Sequence, residues 1–173
     1  DFDIAIEASG FRPHVLAVAT GETVRWANQT GSPISLAATD NTFVSPAIPP
    51  GGRYQWTAGS DGVYPYTGSG TPGLEGAIVV SPNGAADSFD GRPVLEAYRD
   101  SCGGGHGPNR EGGVGPALVP ARLTESDAFY VDTIRNGRPG TAMPGWKYTL
   151  TEAEVWLLLG LLRVGAQRLR RAL

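Results

Sequence analysis

The sequence predicts two domains: an all-β antiparallel sandwich over residues 1–81 and an all-α domain over residues 90–173, joined by a linker over residues 82–89. Three observations lead there. In the first half, short alternating runs recur at near-regular spacing between Gly, Pro and Asn turns, as the strands of a sandwich do. After Ser81-Pro82-Asn83-Gly84-Ala85-Ala86-Asp87, whose composition is that of a linker, alternation gives way to helix start and stop signals. The charge changes as well. Residues 1–85 carry three Arg against seven Asp and Glu, a sum of −4, whereas residues 86–173 carry ten Arg and one Lys against ten Asp and Glu, a sum of +1. Two modules with different surfaces follow.

Taken in order, Phe2-Asp3-Ile4-Ala5-Ile6, Val15-Leu16-Ala17-Val18 and Thr23-Val24-Arg25-Trp26 read as strands. Gly21-Glu22, Asn28-Gln29-Thr30-Gly31 and Pro49-Pro50-Gly51-Gly52 supply turns. Arg53-Tyr54-Gln55-Trp56-Thr57, Val63-Tyr64-Pro65-Tyr66 and Ala77-Ile78-Val79-Val80 complete the series. In the second half, Pro93 starts a short helix reaching Tyr98. Thr124-Glu125-Ser126-Asp127 has the capping-box form and leads into Ala128 to Ile134, which Asn136-Gly137 ends. Thr151-Glu152-Ala153-Glu154 is a second capping box, opening a helix through Leu162 and toward the end of the chain. The Arg residues at 163, 168, 170 and 171 read as a solvated helix end suited to the helix dipole.

Composition narrows the classes. Of 173 residues, 40% are hydrophobic, enough to build cores, and the 25 Gly and 14 Pro point to long shaped loops. A net charge of −3 excludes a generic nucleic-acid binder. A single Cys excludes an internal disulfide framework. The longest apolar run, Val155 to Leu162, is too short to span a bilayer, so no transmembrane segment is expected. The chain opens at Asp1 with its only Met at position 143, as expected of a processed chain.

The chemistry concentrates in Cys102-Gly103-Gly104-Gly105-His106. A c-type haem attachment motif is C-x-x-C-H, which needs thiols that add to haem vinyls and an adjoining His that ligates iron. Here Gly105 stands where the second Cys belongs, and alone C-x-x-G-H reads better as a Gly-rich loop with an incidental His. Three further segments follow in order: Gly115-Pro116-Ala117-Leu118, then Asn136 to Trp146 with Met143-Pro144 inside it, then Leu150-Thr151-Glu152-Ala153-Glu154-Val155. Together the four segments, over about residues 90–165, resemble class I cytochromes c. The resemblance implies that His106 and Met143 are the axial iron ligands and that the Pro116 carbonyl orients the imidazole. It also implies that Leu118 and Trp146 lie among the apolar walls, for which Leu123, Ile134, Leu158 and Leu159 are further candidates. Haem c held by a single thioether through Cys102 is the expected cofactor. Two strong axial ligands leave no open position on iron, which suits electron transfer and raises the reduction potential.

The first half resembles the cupredoxin family, through Phe11-Arg12-Pro13, Gly21 to Asn28, Pro50-Gly51-Gly52, Gly62 to Tyr66 and Gly73 to Val80 in that order. A Greek-key sandwich is implied, but the family's copper chemistry does not carry over. Blue-copper sites need two His, a Cys thiolate and a weak axial Met. Ile34, Thr67, Thr71 and Leu74 stand near those positions, and the only His in this half, His14, lies on a predicted strand away from them. No copper is expected. What remains is a docking, assembly or haem-shielding module.

The expected function is therefore single-electron transfer, without catalysis, in the periplasm or another extracytoplasmic space. Membrane association would come through a partner or a removed N-terminal segment. Redox proteins or a membrane-bound respiratory or oxidoreductase complex are the expected partners. The alternatives are a haem-based gas-binding sensor in which Met143 swings away, and a degenerate structural subunit of a larger redox complex.

Overall fold

The computed structural model describes residues 1–70, 74–84 and 92–164. The chain divides into two compact units, Asp1–Ala85 and Ala86–Leu173.

The first unit holds eight strands: β1 (Ile4–Glu7), β2 (Gly10–Arg12), β3 (Val15–Ala19), β4 (Thr23–Asn28), β5 (Leu36–Ala38), β6 (Arg53–Thr57), β7 (Gly62–Gly68) and β8 (Glu75–Ser81). They form two four-stranded sheets, in the orders β2-β1-β4-β6 and β3-β8-β7-β5. The sheets are mixed and not purely antiparallel: β1 runs parallel to β4, and β3 parallel to β8. The chain leaves the first sheet after β2, contributes β3 to the second sheet, and returns as β4 beside β1 in the same direction. Alternation of apolar residues has the same period in either pairing, so the sequence pattern does not distinguish them. β8 is buried along Gly76 to Val80, as a strand flanked on both sides should be, whereas β6 alternates exposed and half-buried residues. Between the sheets Trp26, Tyr66, Ile4, Ile6, Leu36 and Ile78 are fully buried. The Trp26 indole N–H donates to the Tyr66 hydroxyl at 3.1 Å, which satisfies its polar atom inside the core. The buried Asn28 amide donates to the carbonyls of Ser32 and Ile48, each at 2.8 Å, and so pins the turn that follows β4.

The second unit contains α1 (Val94–Ser101), a single turn α2 (Gly103–His106), a 3-10 turn Pro120–Arg122, α3 (Asp127–Asn136) and α4 (Glu152–Arg163). Ala97, Tyr98, Leu123, Leu158, Leu161 and Leu162 form its apolar core, with Cys102, Leu118 and Tyr130 packed against it. The capping box that opens α4 is complete: the Thr151 side chain accepts from the Glu154 N–H at 3.2 Å, and Glu154 accepts from the Thr151 N–H at 2.8 Å. For α3 the cap is Ser126, which accepts from the Phe129 N–H at 3.3 Å, and not Thr124. α4 ends at Arg163, where Val164 turns extended, and its expected continuation lies in residues 165–173, outside the described residues.

Arg163 is not a solvated helix end. Its guanidinium bonds Asp127 at 2.8 Å and the carbonyls of Leu123 and Glu125 at 2.9 Å each, and its side chain is 14% exposed. Arg168, Arg170 and Arg171 lie outside the described residues, as do Thr71 and most of the expected linker.

Candidate functional site

The site is built on the turn that joins α1 to α2. Cys102 closes α1 with an N–H donated to the Tyr98 carbonyl at 2.7 Å. Its own carbonyl accepts from the N–H groups of Gly105 at 3.2 Å and His106 at 2.9 Å. The tight turn therefore brings Cys102 and His106 onto one short element. At Gly105 a Cβ would meet no heavy atom within 4 Å, so this position is open although it carries no side chain.

The imidazole of His106 is fixed from the following loop. Its Nδ1 lies 2.8 Å from the Pro116 carbonyl oxygen. A carbonyl only accepts, so Nδ1 carries the proton, and in the neutral ring the lone pair that could bind a metal is on Nε2. Gly115 lies against the ring: a Cβ there would come within 2.7 Å of Cε1 and 2.8 Å of Nδ1. The loop is laced to the turn by the Gly112 N–H on the His106 carbonyl at 2.8 Å and the Gly115 N–H on the Gly105 carbonyl at 2.7 Å. Leu118, half-buried against the core, donates its N–H to the Arg110 carbonyl at 2.9 Å.

Met143 and Trp146 belong to a second grouping at the end of α3. The Trp146 N–H donates to the Ile134 carbonyl at 3.0 Å, and the Arg138 N–H to the Met143 carbonyl at 3.2 Å. Gly137 permits this approach, since a Cβ there would stand 2.7 Å from the Met143 carbonyl oxygen, and its φ of 70° suits the helix stop. Both side chains are half-buried, as are Leu118 and Ile134; Leu123, Leu158 and Leu159 are enclosed by protein.

Burial shapes the ionisation of two groups here. It pushes the Cys102 thiol up to about 11, so the sulfur is protonated at neutral pH. It also pushes the Tyr98 phenol up to about 12, with Glu111 and, once ionised at high pH, Cys102 adding to the effect and the Arg110 charge opposing it. The Tyr98 hydroxyl donates to the Gly107 carbonyl at 2.9 Å, beside His106. Neither Tyr98 nor Arg110 stood out in the sequence. Tyr98 is there only the end of the first short helix, and Arg110 carries no reading.

In the first unit, three of the positions compared with a copper site are described. Ile34 and Leu74 are buried in the apolar core, and Thr67 is exposed on β7. His14 lies in the bend between β2 and β3 and not on a strand. Among the described residues no group of three or more His, Cys, Asp or Glu is placed to hold a metal ion, and no helix is long and apolar enough to cross a membrane.

No protein-family model matches the chain. Over 47% of its length it is similar to the whole of a purple cupredoxin from Nitrosopumilus maritimus, at 28% identity and a TM-score of 0.44. It is 42% identical over 65 residues to a cytochrome c55X from Stutzerimonas stutzeri, which is 37% of this chain and 58% of that protein. With a cytochrome c55X from Paracoccus denitrificans it shares 38% identity over 86 residues, 49% of this chain and 81% of the relative. By that last relationship the chain belongs to the cytochrome c55X family.

Proposed function

We propose that this chain carries single electrons through a c-type haem in its helical unit, in the periplasm or another extracytoplasmic space. Its partners are redox proteins or a membrane-bound oxidoreductase complex, and the β-sandwich unit serves docking or assembly. Kinship with cytochromes c55X supports the cofactor class. The observation that carries the reading to named atoms is the 2.8 Å contact of His106 Nδ1 with the Pro116 carbonyl, which leaves Nε2 bare.

The donor set suits haem iron: a neutral imidazole with a fixed tautomer, a thioether at Met143, and a thiol at Cys102 on the same short turn. When bound, haem supplies the one-electron iron couple. His106 and Met143 would hold the iron, and with both in place small molecules would be kept from it. Cys102 would give a single thioether, since Gly105 offers none. Leu118 and Trp146, both half-buried, would help keep water from the haem.

The test is protein matured with haem-attachment machinery. Haem that stays with the chain on a denaturing gel, an intact mass raised by one haem, a thioether-to-iron charge-transfer band and no carbon monoxide binding to the reduced form are expected. A colourless protein overturns the reading. Ready carbon monoxide binding replaces the carrier with a gas-binding module.

A further inference from the structure

We infer that Arg110 is a positioning residue for His106: by bonding the end of α4, it holds in place the loop whose Pro116 carbonyl orients the imidazole. This rests on His106 being an iron ligand. Arg110 is 2% exposed and adopts a left-handed φ of 67°, a conformation uncommon for a residue with a long side chain. Its Nη1 donates to the carbonyls of Leu161 and Val164 at 2.9 Å each, with Leu162 at 3.4 Å. The last carbonyls of a helix lack donors within the helix, and a guanidinium can serve several at once. The negative end of the helix dipole offsets the buried charge.

The main chain of the same residue spans both flanks of the imidazole. Its N–H donates to the Gly107 carbonyl at 3.0 Å, immediately after His106. Its carbonyl accepts from the Leu118 N–H at 2.9 Å, two residues beyond Pro116. The Tyr98 hydroxyl bonds the same Gly107 carbonyl at 2.9 Å. The side chain thus roots the loop in α4, and the backbone sets the distance between His106 and the carbonyl that steers it.

Arg163 provides the comparison. It too is a guanidinium at the end of α4, 14% exposed, and the partners described for it include Asp127 and the carbonyls of Leu123 and Glu125, none of which flanks His106. The experiment measures solvent exchange of the His106 Nδ1 proton by NMR in ferrous, haem-loaded wild type, Arg110→Met and Arg163→Met. Denaturant titration of each variant gives its global stability. Beyond what global unfolding accounts for, exchange is expected about tenfold faster in Arg110→Met and unchanged in Arg163→Met, the size of one lost hydrogen bond. Equal acceleration in the two variants, or none in Arg110→Met, overturns the inference while leaving the haem reading intact. Should Arg110→Met fail to fold, Arg110→Lys keeps the charge and loses the fork, and it is held to the same outcome against Arg163→Lys. Wild type that takes up no haem overturns the functional reading and this inference with it.

Discussion

Gly105 and Gly115 both border His106, and they differ in what a side chain would meet. At Gly115 an added Cβ would press on the imidazole at 2.7 Å. Gly115→Ala should cost about 1–3 kcal/mol as overpacking and displace the ring from the Pro116 carbonyl. The haem-to-protein ratio after maturation is expected to fall, read from the pyridine haemochrome against protein absorbance. At Gly105 the same addition meets open space. Gly105→Cys should therefore fold, form a second thioether and shift the haemochrome α band to shorter wavelength as a second vinyl is saturated; an unmoved band would mean that position 105 does not face the ring. Tyr98 adds a pH dependence. Its phenol is pushed up to about 12, above the ordinary 10.0, so the unfolded chain ionises first. That stability is whole below pH 10 and is lost as pH rises toward 12. Guanidinium unfolding of the haem-loaded protein at pH 9, 10 and 11 should show a steeper decline in wild type than in Tyr98→Phe, because thioether formation silences Cys102.

At the scale of elements, the ends of α3 and α4 contrast local with distant control. The α4 capping box is complete within four residues and is legible from Thr151-Glu152-Ala153-Glu154 alone. Thr151→Ala should cost about 1 kcal/mol. The start of α3 is less legible, because Thr124 and Ser126 both have capping chemistry. Arg163 bears on the choice from α4, since it bonds the Leu123 and Glu125 carbonyls and the Asp127 carboxylate in the segment that enters α3. No local pattern reports a partner 36 residues away. The same holds for Arg110, whose carbonyl partners lie 51 to 54 residues on. Asp127→Ala removes the carboxylate but leaves Arg163 the Leu123 and Glu125 carbonyls, and should cost about 1.5–3 kcal/mol, more than the Thr151 change. Denaturant midpoints followed by far-UV circular dichroism rank the two variants, and a smaller loss at Asp127 than at Thr151 would contradict the assigned role.

For the whole molecule, strand and helix periods separate the two units in the sequence, but they do not carry the crossing of the chain between sheets. The three-residue strands β2 and β5 are also too short to show a period. Donor chemistry, in contrast, depends on residue identity alone and is fully visible. The sandwich unit has one His, no Cys and no Met, so neither a thiolate nor a thioether can come from it. The helical unit has the chain's only Cys and only Met and one His. A blue-copper site needs a thiolate with two imidazoles, whereas haem iron ligated as proposed here takes one imidazole and one thioether from the protein. Electrons should therefore enter and leave through one centre. Elemental analysis of matured protein, incubated with copper(II) and then gel-filtered, is expected to give about one iron and no stoichiometric copper per chain, following from these ligand requirements. A potentiometric titration should show one wave with n = 1. Copper approaching one per chain, or a second wave, would place a redox centre in the sandwich and make the chain a two-centre relay.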